Sequence, residues 1–203
     1  MKHVKTYENW NDFHEYKSNN PKNPQLVYER NPEPNIDKLI YDLEPGSNVL
    51  DLGCGDGIDT LYFQSNGFNV SGLDASEFVI DENKTKNPNI DWKIYDIADA
   101  NLPFEDNSLD LIYCRLSLHY FDRFQLSQIL HNINLKLKQG AILYLSAKTQ
   151  SFKDRVSTGK KQLHIREWQK ILSYYFKDIH IQKNSGKLYN IPSEWLEIEC
   201  HKS

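Results

Sequence analysis

Cysteine, long apolar runs and surplus positive charge are all scarce in this 203-residue chain. Its three cysteines, Cys54, Cys114 and Cys200, are odd in number and fit neither the spacing of a zinc site nor a disulfide framework. Two of them lie in or beside strand-like segments, where a free thiol packs as a small apolar side chain. No window approaches the roughly 20 apolar residues of a membrane span. The start, Met1 to Glu8, has no apolar core of a secretory signal. Together these predict a soluble, cytoplasmic protein. A net charge of −4 argues against general nucleic-acid binding, which needs a basic face. Internal repeats and low-complexity tracts are missing as well. What remains, 39% hydrophobic and 26% charged residues, is the composition of a globular chain long enough to bury a core.

The order of apolar patterns predicts one domain over 1–203, with residues 1–32 as an N-terminal cap or lid and 33–203 as the core. The first segment is polar and carries Pro21, Pro24 and Pro32. Trp10, Phe13 and Tyr16 recur at helical spacing, which predicts a short amphipathic helix near 8–17. Ile36, Leu39, Ile40 and Leu43 share a helical face over 35–43, stopped by Pro45-Gly46. Strand-like runs follow at 48–52, 69–73, 91–95, 109–114, 141–147, 178–183 and 194–201. Helical patterns fall between most of them, at about 57–66, 76–84, 122–138 and 165–175. This alternation is the sequence form of a three-layer, doubly wound α/β fold. The connection between the last two strands is too short for a parallel crossover, which needs a dozen or more residues. The sheet is therefore expected to be seven-stranded and mostly parallel, with an antiparallel last strand.

Residues 48–57, Asn-Val-Leu-Asp-Leu-Gly-Cys-Gly-Asp-Gly, carry the functional signal. A buried-strand run ends in Gly53, Gly55 and Gly57, which let the backbone turn sharply and admit a ligand where a Cβ would stand. The following helix aims its unpaired N–H groups at that ligand. Asp74 ends the second strand, placed to accept both hydroxyls of a ribose. Asp96 ends the third, where a carboxylate can accept from an exocyclic amine. The pattern is that of a nucleoside-binding βαβ unit. It departs from the dinucleotide fingerprint, because the third small residue is replaced by Ile58.

The run Asp51-Leu52-Gly53-Cys54-Gly55-Asp56-Gly57 resembles motif I of the class I S-adenosylmethionine-dependent methyltransferases. Gly72-Leu73-Asp74-Ala75-Ser76 is similar to the ribose-binding second motif of that family. Tyr95-Asp96-Ile97, Leu102-Pro103-Phe104 and Asp110-Leu111-Ile112 are similar to its third and fourth segments. Leu137-Lys138-Gln139-Gly140-Ala141 is similar to the turn before its fifth strand, without the Pro-Gly-Gly that many members carry. Ser117-Leu118-His119-Tyr120-Phe121 further resembles a subgroup of small methyltransferases related to tellurite-resistance proteins. The resemblance, over about 36–147, implies a Rossmann-like methyltransferase fold and S-adenosyl-L-methionine as cofactor. It implies that Gly53 and Gly55, with Asp51 close by, hold the amino-acid end. Asp74 would hold the ribose, with Ala75 beside the adenine. Asp96 and Ile97 would read the adenine edge, and Cys114 and Arg115 would line the methionine portion.

Methyl transfer requires the acceptor to be held in line with an already activated methyl group, and such positioning is worth roughly 7–11 kcal/mol. No metal is needed, and a base only if the nucleophile arrives protonated. His119 and Tyr120 follow the fourth strand on the substrate side. A His near its ordinary pKa of about 6.5 is a fit base; the alternative is a structural His that holds a loop. His164 and Arg166 precede the 165–175 helix, where they either face the pocket or cap the helix. Arg30 could meet a carboxylate. Trp10, Phe13 and Tyr16 are candidate lid residues, since aromatic faces attract a sulfonium, or else an apolar stripe packed on the domain. Lys148, Lys153, Arg155, Lys160 and Lys161 form a basic run that reads as a solvated loop or a substrate loop. No Asn-Pro-Pro-Tyr motif follows the fourth strand and no Pro-Cys dipeptide exists. These absences disfavour amino- and cytosine-C5 methylation of nucleic acid. The expected acceptor is a small molecule, with nucleic acid and membrane not expected as partners. The rivals are an RNA or protein methyltransferase using the 148–161 run, and a non-enzymatic cofactor-binding regulator.

Overall fold

A computed structural model describes residues 9–20, 36–99, 101–149, 162–188 and 191–203. In chain order the elements are α1 (Trp10–Asn19), α2 (Ile36–Asp42), β1 (Asn48–Leu52), α3 (Ile58–Ser65), β2 (Asn69–Asp74), α4 (Glu77–Lys86) and β3 (Asp91–Ile94). Then come β4 (Leu109–Arg115), a 3₁₀ turn (Leu118–Tyr120), α5 (Arg123–Lys136), β5 (Leu137–Lys148), α6 (Ile165–Leu172), β6 (Phe176–Leu188) and β7 (Ile191–Lys202). No helix among the described residues is long and apolar enough to cross a membrane.

The seven strands form one sheet in the order β3-β2-β1-β4-β5-β7-β6. The first five run parallel, and β7 lies antiparallel between β5 and β6. This is the expected doubly wound, mostly parallel sheet, with helices on both faces. Strand order reverses between β1 and β4. The connections from these two strands leave in opposite directions and open a crevice at their carboxyl ends.

Alternation along the strands sorts the core into two layers. Ile112 and Cys114 of β4 join Leu50, Leu143 and Leu145 on one face, where α5 brings Leu126, Ile129, Leu130 and Ile133 and α6 brings Trp168 and Leu172. Leu111 and Tyr113 join Val49, Ile142 and Tyr144 on the other face, under Ile36 and Leu39 of α2 and Phe63 of α3. Central parallel strands are covered on both sides, which is why 49–52 reads as almost continuous apolar sequence. A smaller cluster of Val79, Ile80, Ile90 and Trp92 fixes α4 on β3.

The structure departs from the sequence reading at several boundaries. The helix expected over 122–138 opens on an Asp122–Gln125 capping box and stops at Lys136, because Leu137 is extended and pairs with Leu109 of β4. The fifth strand accordingly starts at Leu137. The last two strands are longer than expected, and β6 is interrupted by a bulge between Lys177 and His180, where Asp178 has φ 49°. The 3₁₀ turn was not anticipated as an element.

Trp92 sets the spacing of the glycine turn. Its ring fills the space that a Cβ on Gly72 would enter at 2.4 Å and a Cβ on Gly57 at 2.5 Å. Its Nε1 donates to the Asn87 carbonyl at 3.0 Å, which pins the ring. Gly72→Val therefore overpacks a pinned indole and should lower the unfolding free energy by about 1–3 kcal/mol. Urea denaturation checks this; an unchanged midpoint would show that the ring moves aside freely.

Candidate functional site

The turn after β1 is held by backbone hydrogen bonds to the next strand. Gly53 and Cys54 N–H both donate to the Leu73 carbonyl, at 2.7 and 2.9 Å. Gly53, Gly55 and Gly57 all have positive φ, of 80°, 52° and 74°, a region closed to most side chains. A Cβ on Gly55 would meet only His14, at 3.8 Å, so this face of the turn opens into a cleft.

Asp74, at the tip of β2, fastens the turn. Its Oδ2 accepts from Gly55 N–H at 2.9 Å and its Oδ1 from Ser76 N–H at 2.9 Å. Burial raises its pKa against these two bonds. A carboxylate offers about four lone-pair sites, so ligand donors can still be accepted. Asp51 is buried beneath the turn, with Oδ2 accepting from the Thr60 hydroxyl at 2.6 Å. Burial first, then the charges of Asp59 and Asp74, push its pKa up to about 8, against the Thr60 bond and the Arg115 charge. Asp59 on α3 is paired with the Arg115 guanidinium at 3.1 Å. Asp96, exposed at the tip of β3, accepts from Ala98 N–H at 2.9 Å.

Helix α1 covers this ground. Its Asn11 Oδ1 accepts from Phe78 N–H at 2.8 Å, capping α4, and lies 3.3 Å from the Ser76 hydroxyl. Lys17 pairs with Asp56 at 3.5 Å. Trp10 meets Tyr120 of the 3₁₀ turn edge to face, with centroids 4.9 Å apart.

One cleft, of about 1090 Å³ including its open mouth, brings together Asp51, Gly53, Gly55, Asp74, Ala75, Asp96, Ile97, Arg115 and Tyr120. Trp10 and Phe13 also line it, whereas Tyr16 does not. Two expected residues stand elsewhere. Cys114 packs into the core, because successive residues of a strand point to opposite faces and Arg115 takes the cleft side; burial pushes its thiol pKa up. His119 is 8% exposed and does not line the cleft. Its ring lies behind Tyr120, with centroids 4.2 Å apart, and neither ring nitrogen has a partner among the described residues. Burial, with the Lys148 charge second, pushes its pKa down to about 3. The expected base of ordinary pKa on the substrate side is thus corrected to a buried imidazole outside the cleft lining that stays neutral well into the acidic range.

His164 caps α6, its N–H donating to Glu167 Oε2 at 2.7 Å and its Nδ1 accepting from Arg166 N–H at 3.5 Å; neither His164 nor Arg166 lines the cleft. Lys148 ends β5. Arg30, Lys153, Arg155, Lys160 and Lys161 lie outside the described residues. Sequence reasoning did not single out His14, Lys17, Asp56, Asp59 and Leu116, which line the cleft, or Asn11, which joins α1 to α4. Leu116 carries φ 54° at the end of β4, a strained conformation for a side chain of its kind.

Residues 49–141 match a family model described as a methyltransferase domain. An uncharacterized methyltransferase of Synechocystis sp. is 35% identical over 103 residues, 51% of this chain and 48% of that one. A probable S-adenosyl-L-methionine-dependent methyltransferase TehB of Haemophilus influenzae is 32% identical over 89 residues, 42% of this chain and 30% of that one. A TehB-like S-adenosylmethionine-dependent methyltransferase structure from Corynebacterium glutamicum superposes with a TM-score of 0.69 at 17% identity, covering 94% of this chain and 98% of that one. Phosphoethanolamine N-methyltransferase 2 of Haemonchus contortus, in complex with phosphomonomethylethanolamine and S-adenosylhomocysteine, gives 0.65 at 18% identity, covering 82% and 51%. At these identities the structural likeness is one of fold. The chain spans half or less of the length of these curated relatives.

The raised pKa of Asp51 makes a prediction for the protein without ligand. The folded value of about 8 lies above the unfolded value of about 3.9. The stability it contributes is therefore full below about pH 4 and is lost as pH rises through about 8. In Asp51→Asn this titration is removed, so the variant should gain thermal stability relative to wild type between pH 4 and 8. Parallel pH–stability curves for the two proteins would refute the assignment.

Proposed function

We infer that this chain, whose residues 49–141 match a methyltransferase-domain model, is a class I enzyme that moves the methyl group of S-adenosyl-L-methionine to a small-molecule acceptor. The observation that carries this reading is the convergence of three strand tips on one cleft: the glycine turn after β1, Asp74 after β2 and Asp96 after β3.

The residues present fit the cofactor. Gly55 leaves open the space that a side chain would fill, and Asp74 keeps acceptor capacity beyond its two backbone bonds. Five carboxylates line the cleft against Lys17 and Arg115, a surplus that suits a ligand bearing a sulfonium and an ammonium. Asp74 would hold the ribose hydroxyls, with Ala75 beside the base, and Asp96 and the Ile97 backbone would read the adenine edge. Gly53, Gly55 and Asp51 would hold the amino-acid end, with Arg115 along the methionine chain. When bound, the cofactor supplies an activated methyl group on a positively charged sulfur.

The remaining work of the protein is positioning and exclusion of water. Helix α1 serves as the lid, held by Asn11 on the end of α4 and by Trp10 on Tyr120. Tyr120 faces the cleft on the acceptor side. His119, neutral and packed against it at a 33° tilt, is a positioning residue for that ring. A small acceptor is supported by the placement of Trp10 and Phe13 of α1 in the cleft wall. The Haemonchus contortus neighbour of the same fold is in complex with a small molecule, phosphomonomethylethanolamine.

Asp74→Ala removes the proposed ribose contacts and also unfastens Gly55 and Ser76. Charge-assisted hydrogen bonds contribute about 1.5–3 kcal/mol each, so cofactor affinity should fall by about 100-fold or more. Calorimetry with S-adenosylmethionine measures this, with far-UV circular dichroism as the folding control. An unchanged dissociation constant would remove Asp74 from the site.

A further inference from the structure

We propose that the acceptor is an uncharged amine, and that the Trp10–Tyr120 aromatic corner recognises the positive charge that develops on its nitrogen. The proposal rests on the methyl-transfer reading of the cleft and names its acceptor class.

The sheet order separates two regions of the cleft. The tips of β3, β2 and β1 lie side by side and carry Asp96, Asp74 and the glycine turn; β4 lies on the other side of β1, and Tyr120 and Phe121 come from the segment that follows it. Trp10 and Phe13 reach the same cleft from α1. Trp10 and Tyr120 stand 73° apart in plane at 4.9 Å, so they form two walls of a corner. They remain 42% and 57% exposed, which leaves ring surface for a ligand. Aromatic faces attract a cation within about 6 Å, and more strongly where water is excluded.

The charges in the wall select against an anionic acceptor. The two cations that line the cleft among the described residues are already engaged, Lys17 with Asp56 and Arg115 with Asp59. A phosphate or carboxylate would have to break one of these pairs. A neutral nitrogen meets no such cost, and its charge changes in the favourable direction during reaction. Its lone pair forms the new N–C bond to the methyl carbon as the S–C bond breaks, and that electron pair stays on sulfur. The sulfonium becomes a neutral thioether and the positive charge moves to nitrogen. A primary or secondary amine then gives a proton to water, and a tertiary amine keeps the charge. The aromatic corner therefore binds the cationic product and the transition state better than the neutral reactant, which is what acceleration requires.

The test uses the full chain saturated with S-adenosylhomocysteine and three probes of similar shape: choline, its neutral carbon isostere 3,3-dimethylbutan-1-ol, and anionic 3,3-dimethylbutanoate. Calorimetry should give choline at least about a fivefold tighter dissociation constant than the alcohol, with the carboxylate weakest. Tyr120→Phe keeps a ring and should keep the preference. Tyr120→Leu and Trp10→Leu, each measured at saturating S-adenosylhomocysteine, should reduce it. Equal binding of choline and the alcohol, tighter binding of the carboxylate, or a preference that survives both leucine variants would overturn the proposal. Lack of S-adenosylhomocysteine binding with the choline preference intact would instead sink the methyl-transfer reading and leave the corner as a cation site.

Discussion

The hydrogen bond from Gly55 N–H to the Asp74 carboxylate ties the first strand's exit to the second strand's tip, and most of the cleft is organised around it. It fixes the glycine turn in a conformation that only residues without a Cβ adopt easily. The same carboxylate holds Ser76 N–H. Ser76 in turn caps α4 through Val79 N–H and meets Asn11 of α1. One buried carboxylate thus links the turn that faces the cleft, the helix that follows β2 and the helix that covers the cleft. Placing a charge there is unfavourable, as its raised pKa records. The bonds that offset this are backbone donors already fixed by the fold, so little order has to be created to make them.

A second constraint is the concentration of carboxylates at one end of the sheet. Asp51, Asp59 and Asp74 lie close enough to raise the first of them well out of the ordinary range. Arg115 relieves the repulsion through Asp59 and Thr60 through a short hydrogen bond. Local strain and electrostatic frustration of this kind collect at functional sites and are tolerated because the surrounding core is well packed. In this chain the packing is supplied by two continuous layers on either face of the parallel strands. The frustrated end of the sheet is therefore also the end that bears the cleft.

Much of this was legible in the sequence, for identifiable reasons. Central parallel strands bury both faces, so they stand out as apolar runs, and glycines followed by an acidic strand end have few structural alternatives. The relations across the fold were not legible. Arg115 meets Asp59 across 56 positions, and Asn11 caps a helix 67 positions away; no local pattern records such pairs. Cys114 and Arg115 were both expected beside the ligand, although strand alternation allows only one of two neighbours to point there. The burial of His119 depends on how the turn after β4 folds back, which periodicity does not encode. Leu137 reads as the end of a helix because its propensity is helical, yet pairing with β4 overrides it.

The two rims of the sheet are built differently from its centre. On one side β3 has only four residues. On the other, β6 is broken by its bulge at Asp178. Short and bulged margins are poor templates for an incoming strand. The long hairpin of β6 and β7 can therefore widen the sheet without inviting edge-to-edge polymerisation.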